Sequence, residues 1–383
     1  VKVVLVLETL NSEFNPANVK ALEDAGGVFI SRNKTSRLNA LIHLFNREFY
    51  KRDHQKIYLI DNKVIIGSAN IGDQYTGKHF GNDFFADLSI YSEECFLRET
   101  MDFIAMIISS SFELHKFINK KHIFEKIQSW YCDYTENIVD NPFSPAKMSY
   151  TFQPYIHEIQ RNISYHFRHA EKSITIVSPY YFSINDIEKD LIQASRRGVE
   201  VSIITSKKRD VPTYRPFSSA VFFRKLLNEG IKIYDFYTQF LHTKAFIVDD
   251  NLISLGSFNF DHWSYYVNTE ANVEVTNDRK IIAEFKDYIQ SLRSTSTLIQ
   301  ASTTQQNKLK HIIRQYAWSW FLYTTNELFM YNVYKRYFPA SDFDLPISDN
   351  FDLRKLFFSR QLSCVDKEKL YATIARYKTD RSS

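Results

Sequence analysis

The same six residue types recur in the same order in both halves of the chain, and no other feature limits the fold as much. Residues 53–73 read DHQKIYLIDNKVIIGSANIGD and residues 240–261 read FLHTKAFIVDDNLISLGSFNFD. The first stretch carries His54, Lys56, Asp61, Gly67, Ser68 and Asn70; the second carries His242, Lys244, Asp249, Gly256, Ser257 and Asn259. A histidine and a lysine two apart at the head of an apolar run share one face of a strand. Asp and Asn residues then supply turn chemistry, and the next apolar run reads as the returning strand. Each copy is expected to be a hairpin that gathers an imidazole, an ammonium, a hydroxyl and an amide. That set suits a phosphate. The stretch from Asp61 to Gly67 is one residue shorter than that from Asp249 to Gly256, so the first hairpin should turn more tightly.

The flanks repeat as well. In the second half, strands are expected at 173–177, 199–205 and 231–236, with helices at 184–197 and 220–228 between them. In the first half the counterparts begin midway, with a strand at 1–7, a helix at 18–25 and a strand at 28–31. The chain therefore reads as a fragment whose opening strand and helix are missing. After the first motif a strand is expected at 86–91 and a helix at 94–116, where Phe96, Met101, Ile104, Ile107 and Ile108 form a stripe. Pro142 and Pro145 mark the boundary between halves. A helix at 155–169, a strand at 270–276 and a helix at 280–292 follow, and 294–307 reads as a polar linker.

Both motifs resemble the H-x-K-x4-D…G-S-x-N signature of the phospholipase D superfamily. The flanking runs NIGDQY, GIKIYDF and NTEANVEV resemble bacterial cardiolipin synthases of that type. The resemblance implies an α/β fold of two similar halves, each a mixed sheet flanked by helices, related by a pseudo-twofold axis with the site between the hairpins. The expected divisions are 1–139 for a truncated first half, 140–150 for a linker, 151–293 for the second half and 294–383 for a linker and helical extension.

A phosphodiester repels nucleophiles, and a covalent intermediate divides its cleavage into two easier steps. One neutral imidazole can attack while a second, protonated, gives its proton to the leaving alkoxide. Lys56 and Lys244, with Ser68, Asn70, Ser257 and Asn259, are expected to hold the phosphoryl oxygens. The two lysines supply the positive charge, so no metal or other cofactor is implied. By resemblance His54 is the nucleophile and His242 the acid and base, a choice that residue chemistry alone leaves open. The N-x-E-x-N segment at 268–272 makes Glu270 the expected orienting partner of His242. Asp83, with Asp87 close behind, is the expected partner of His54. Asp61 and Asp249, members of the motif, are read as supports for the hairpins and lysines.

These expectations make a phospholipid, phosphatidylglycerol-like, the substrate, with an alcohol or water as acceptor. The alternative is a metal-independent nuclease of the same superfamily. A net charge of +4 with no basic run interleaved with aromatics makes nucleic acid the weaker partner. Cys95, Cys132 and Cys364 show no metal or redox spacing. They read as reduced thiols, which favours a cytoplasmic compartment; the expected location is cytoplasmic or peripheral to a membrane. No run of about 18 apolar residues is present to span a bilayer. Residues 308–338 read as an aromatic-rich helix, with Trp318, Trp320 and Tyr323 among basic residues. It either packs on the catalytic halves or lies in a membrane interface. Arg209 and Asp210, at a strand end, read as a solvated loop rather than as pocket lining.

Overall fold

The computed structural model describes residues 1–8, 14–32, 52–77, 84–93, 95–114, 121–135, 144–152, 156–182, 184–208 and 223–300. Asp83, Arg209, Asp210 and the helix expected over 308–338 lie outside these residues. The described parts of 1–49 and 96–141 form one compact unit; those of 50–95 and 142–338 form another.

In the first unit, β1 (Val4–Glu8) pairs in parallel with β2 (Val28–Arg32), and α1 (Pro16–Asp24) connects them. The helix begins where the Asn15 side chain accepts from the Ala17 N–H, with Pro16 in its first turn, where a missing N–H costs nothing. It stops at Gly26, whose φ of 87° few other residues would adopt. Helices α2 (Leu97–Leu114) and α3 (Lys121–Thr135) cover this sheet. Ile108 and Ile127 pack with Val28 and Ile30, so the expected stripe does face a core.

The second unit is built on a nine-stranded mixed sheet. Its strands are β6 (Ala146–Phe152), β7 (Ile156–His157), β8 (Ser173–Val177), β9 (Glu200–Ser206), β10 (Lys232–Phe236), β11 (Ala245–Val248), β12 (Leu252–Gly256), β13 (Glu270–Thr276) and β14 (Ser296–Leu298). Their order is β14-β10-β9-β8-β11-β12-β13-β6-β7. Strands β8, β9 and β10 are parallel and the other pairings antiparallel. Among the described residues its helices are α4 (Glu158–His169), α5 (Asn185–Arg196), α6 (Arg224–Asn228), the short α7 (His262–Tyr266), which precedes β13, and α8 (Arg279–Ser294).

Strands β11 and β12 are buried along their whole length and β13 at every residue but Thr276, as expected of a sheet covered on both faces. On one face Ala245, Ile247, Ile253 and Leu255 meet Ile282, Phe285, Ile289 and Leu292 of α8. On the other, Phe246 and Phe260 pack against Phe167 of α4. Each such side chain contributes about 1.5–3 kcal/mol when fully buried.

The first motif folds as β3 (Lys56–Ile60) and β4 (Lys63–Gly67), to which β5 (Ser89–Glu93) adds as a third antiparallel strand. Ala86, Leu88 and Ile90 pack on the α8 face of the large sheet.

Beyond shifts of one or two residues, the strand expected from residue 1 begins at Val4 and the helix expected from 94 begins at Leu97; three further boundaries differ because backbone groups find a tertiary partner. The strand expected at 86–91 starts at Ser89, because Ala86 leaves the ladder to bridge Leu241. The helix expected from 155 starts at Glu158, because Ile156 and His157 pair with Phe152 and Thr151. The expected linker from 294 contains β14, an edge strand paired with β10.

Candidate active site

Two residues, Asp61 and Asn62, close the first motif hairpin, and three, Asp249 to Asn251, close the second. The residue missing from the first motif has been removed from the turn. Asp61, Asp249 and Asp250 all adopt positive φ, which Asp tolerates better than most side chains. Both motif aspartates therefore lie at the turn, and the strands carry the histidines away from it. Lys244 and Asp249 are separated by five residues of strand, roughly 16 Å. Asp249 accepts the N–H groups of Glu171, Lys172 and Ser173, pinning the hairpin to the start of β8. Its carboxyl is held below the usual range: burial acts to raise it, and the three backbone N–H donors outweigh that. Asp61 and Asp249 shape the turns of the two hairpins.

At the opposite end of the hairpins the backbone brings the two motifs together. The His54 N–H donates to the Thr269 carbonyl at 3.0 Å, and the His242 N–H to the Ala86 carbonyl at 2.8 Å. In each case the next residue along is a carboxylate. Glu270 lies with its two oxygens 3.0 and 2.9 Å from His54 Nδ1. Asp87 Oδ2 lies 2.7 Å from His242 Nδ1. Partners expected within one half are thus exchanged: Glu270 serves His54 and not His242, and His242 is served by Asp87.

Strand register is the reason. Gly256 is opposite Asn272 and Gly67 opposite Ser89, so the residue two earlier in each case, Glu270 or Asp87, projects beyond its own hairpin. Neither glycine has room for a side chain. A Cβ at Gly256 would collide with the Ala271 carbonyl oxygen, and one at Gly67 would lie 2.5 Å from Ser89 Cα. That close approach lets each carboxylate reach past.

The serines take a different part from the one expected of them. Ser257 Oγ donates to Glu270 at 2.5 Å and Ser68 Oγ donates to Asp87. Both are fully buried. Their protons are committed to carboxylates, so they hold the orienting groups rather than phosphoryl oxygens. Glu270 is held further by Ser264 Oγ at 2.6 Å and Asn268 Nδ2 at 3.1 Å. Ser264 and Asn268 were not singled out from sequence, although Asn268 opens the N-x-E-x-N segment. Asn70 is exposed and donates to the Tyr75 hydroxyl. Asn259 is buried, with its N–H on Ser264 Oγ and its Oδ1 unpaired among the described residues.

Both lysines are buried. Lys244 Nζ donates to the His242 carbonyl at 2.6 Å and lies 3.0 Å from His242 Nε2; Lys56 Nζ donates to the His54 carbonyl. Burial pulls Lys244 down to about 7 and Lys56 down to about 8. It also lowers both imidazoles, His242 to about 3, with each lysine adding to the effect on each ring. Burial acts to raise Asp87 and Glu270, but their histidine, lysine and serine partners outweigh it and keep both below the usual range. These shifts favour two carboxylates and two neutral rings that donate through Nδ1, with the Nε2 lone pair of His242 directed at Lys244 Nζ. Such a ring is a nucleophile or a base. Among the described residues no three His, Cys, Asp or Glu cluster as metal ligands.

Residues 163–293 match the family described as cardiolipin synthase, PLD-like domain. Minor cardiolipin synthase ClsB of Bacillus subtilis is 29% identical over 290 residues, covering 73% of this chain and 66% of that protein. Cardiolipin synthase 2 of Bacillus anthracis is 29% identical over 294 residues, 70% of this chain and 53% of that protein. The chain thus spans between about half and two thirds of the length of these curated relatives. The solved structure of phosphatidylserine synthase from Haemophilus influenzae aligns with a TM-score of 0.56 at 14% identity, over 82% of this chain and 88% of that one; it shares the fold.

Proposed function

From a chain that carries a phospholipase D-like domain and has cardiolipin synthases among its homologues, we infer a phosphatidyltransferase that acts on phospholipids through a covalent phosphohistidine. The observation that carries this reading is the crossed wiring: each imidazole is held at Nδ1 by a carboxylate from the other motif. A ring fixed in this way keeps one tautomer and presents Nε2 to substrate.

His54 is the nucleophile. Its side chain is 28% exposed against 9% for His242, so an entering phosphoryl group meets it more readily. Its Nε2 bonds to phosphorus as the bond to the leaving alcohol breaks, and His242 supplies that alcohol's proton. An anionic phosphate in the site raises the proton affinity of His242 above its resting value, since opposite charge favours the protonated ring. Lys56 and Lys244 offset the charge that builds on the phosphoryl oxygens. In the second step an acceptor alcohol gives its proton to His242 and displaces His54. The acceptor is a lipid alcohol such as phosphatidylglycerol, or water.

Purified protein given headgroup-labelled phosphatidylglycerol should release the label, and His54→Ala should not. Mass spectrometry of acid-quenched protein should find a phosphatidyl adduct on His54. Release equal in wild type and variant ends the reading, and cleavage of single-stranded DNA in EDTA with lipid untouched replaces it with a nuclease.

A further inference from the structure

The two imidazoles have different surroundings. Among the described residues the aromatic contacts of the pair all fall on His242: the rings of Tyr75, Phe240 and Phe85 lie 5.1, 5.9 and 6.1 Å from it. These rings also pack edge to face on one another, Tyr75 on Phe85 at 5.2 Å and Phe85 on Phe240 at 4.8 Å, and Tyr180 extends the group at 6.1 Å from Phe240. Local backbone fixes them. Tyr75 ends a short helical turn, Asp73–Tyr75, and the Phe85 N–H donates to the Gln74 carbonyl at 2.8 Å. Tyr75 touches a site residue of each motif, its edge on His242 and its hydroxyl accepting from Asn70 Nδ2 at 2.8 Å.

We propose that Tyr75, with Phe85, Phe240 and Tyr180, forms an apolar wall beside His242 that selects an alcohol bearing hydrocarbon over water as the acceptor. This rests on the reading of His242 as the group that handles the leaving and entering alcohols. In the second step the acceptor oxygen bonds to phosphorus, the P–N bond to His54 breaks with its electron pair returning to the ring, and the acceptor proton passes to His242. Water and a lipid alcohol compete for that one position. The hydrocarbon faces and edges of the rings on the His242 flank offer water no strong hydrogen-bond partner, while an acceptor that carries methylene groups gains contact with them. The exclusion of water on this side also accords with the burial that lowers His242. Tyr75 is a specificity residue, and its ring rather than its hydroxyl does the selecting.

The test uses phosphatidylglycerol vesicles and two readouts, glycerol released as total turnover and the ratio of phosphatidic acid to cardiolipin formed. Tyr75→Ala should raise that ratio by about 10-fold, the scale on which a lost apolar contact changes discrimination. Tyr75→Phe should leave it unchanged, and Phe85→Leu, which keeps an apolar side chain at a half-buried position, should raise it in the same direction if Tyr75→Ala fails to fold. An unchanged ratio in both Tyr75→Ala and Phe85→Leu, with glycerol still released, overturns the wall and leaves the enzyme standing. A shift in Tyr75→Phe as large as in Tyr75→Ala also overturns it, because the bond to Asn70 would then be responsible. No glycerol release by the wild type overturns the transferase reading and the wall with it.

Discussion

Replacing Asp87 with asparagine tests the crossed wiring most directly. The amide keeps the size and an acceptor oxygen, so the 2.7 Å contact with His242 Nδ1 can persist while the charge is lost. A hydrogen bond to a charged partner contributes about 1.5–3 kcal/mol, and each 1.36 kcal/mol is about tenfold in rate. Asp87→Asn should therefore slow turnover of phosphatidylglycerol by about 10- to 100-fold. The informative comparison is with a p-nitrophenyl phosphodiester, whose leaving group departs without a proton. If Asp87 acts through His242 as the acid, formation of the phosphohistidine from this activated ester should be nearly unaffected, and only the second step should slow. Single-turnover kinetics would then show the adduct accumulating. Glu270→Gln should behave differently, slowing adduct formation from both substrates, because Glu270 serves His54. Equal losses on both substrates for Asp87→Asn, or leaving-group dependence that belongs to Glu270→Gln instead, would refute the assignment of the two histidines.

Gly256→Ala should destabilise the fold by about 1–3 kcal/mol, as overpacking does, because its Cβ would meet the Ala271 oxygen; urea unfolding reads the midpoint. The buried Lys244 is lowered from 10.5 to about 7 in the fold, so between those values the unfolded chain holds more protons and stability rises with pH. Lys244→Met should abolish headgroup release, flatten that rise and increase Tm by about 2–4 °C for each kcal/mol of burial cost removed. Deleting residues 301–383 should weaken flotation with anionic liposomes if the aromatic and basic segment at 308–338 lies in a membrane interface, and leave it unchanged if that segment packs on the protein.

Much of the site is legible because its members are neighbours in sequence. The spacing of His54 and Lys56, and of His242 and Lys244, puts each pair at the head of its hairpin; the expected shared strand face does not form, because β3 begins only at Lys56 and β11 only at Ala245. The one-residue difference between the motifs predicts a shorter first turn, and the first turn is shorter. Strands at 173–177 and 270–276 are readable to the residue, since their burial is continuous and their ends are marked by turns. Local pattern carries that information because hairpin and strand geometry repeat every two residues.

What only the folded chain decided is who meets whom. His54 and Glu270 are 216 positions apart, and His242 and Asp87 are 155 apart. A strand pattern says which face a side chain takes but is silent on which distant backbone its edge will pair with. The bridges from Asp53 to Thr269 and from Ala86 to Leu241 make that choice, sending each carboxylate to the other motif's ring and leaving each serine with the carboxylate. The aromatic flank of His242 has the same origin: Tyr75, Phe85 and Phe240 are ordinary apolar residues in their own stretches and become a wall only where those stretches pack.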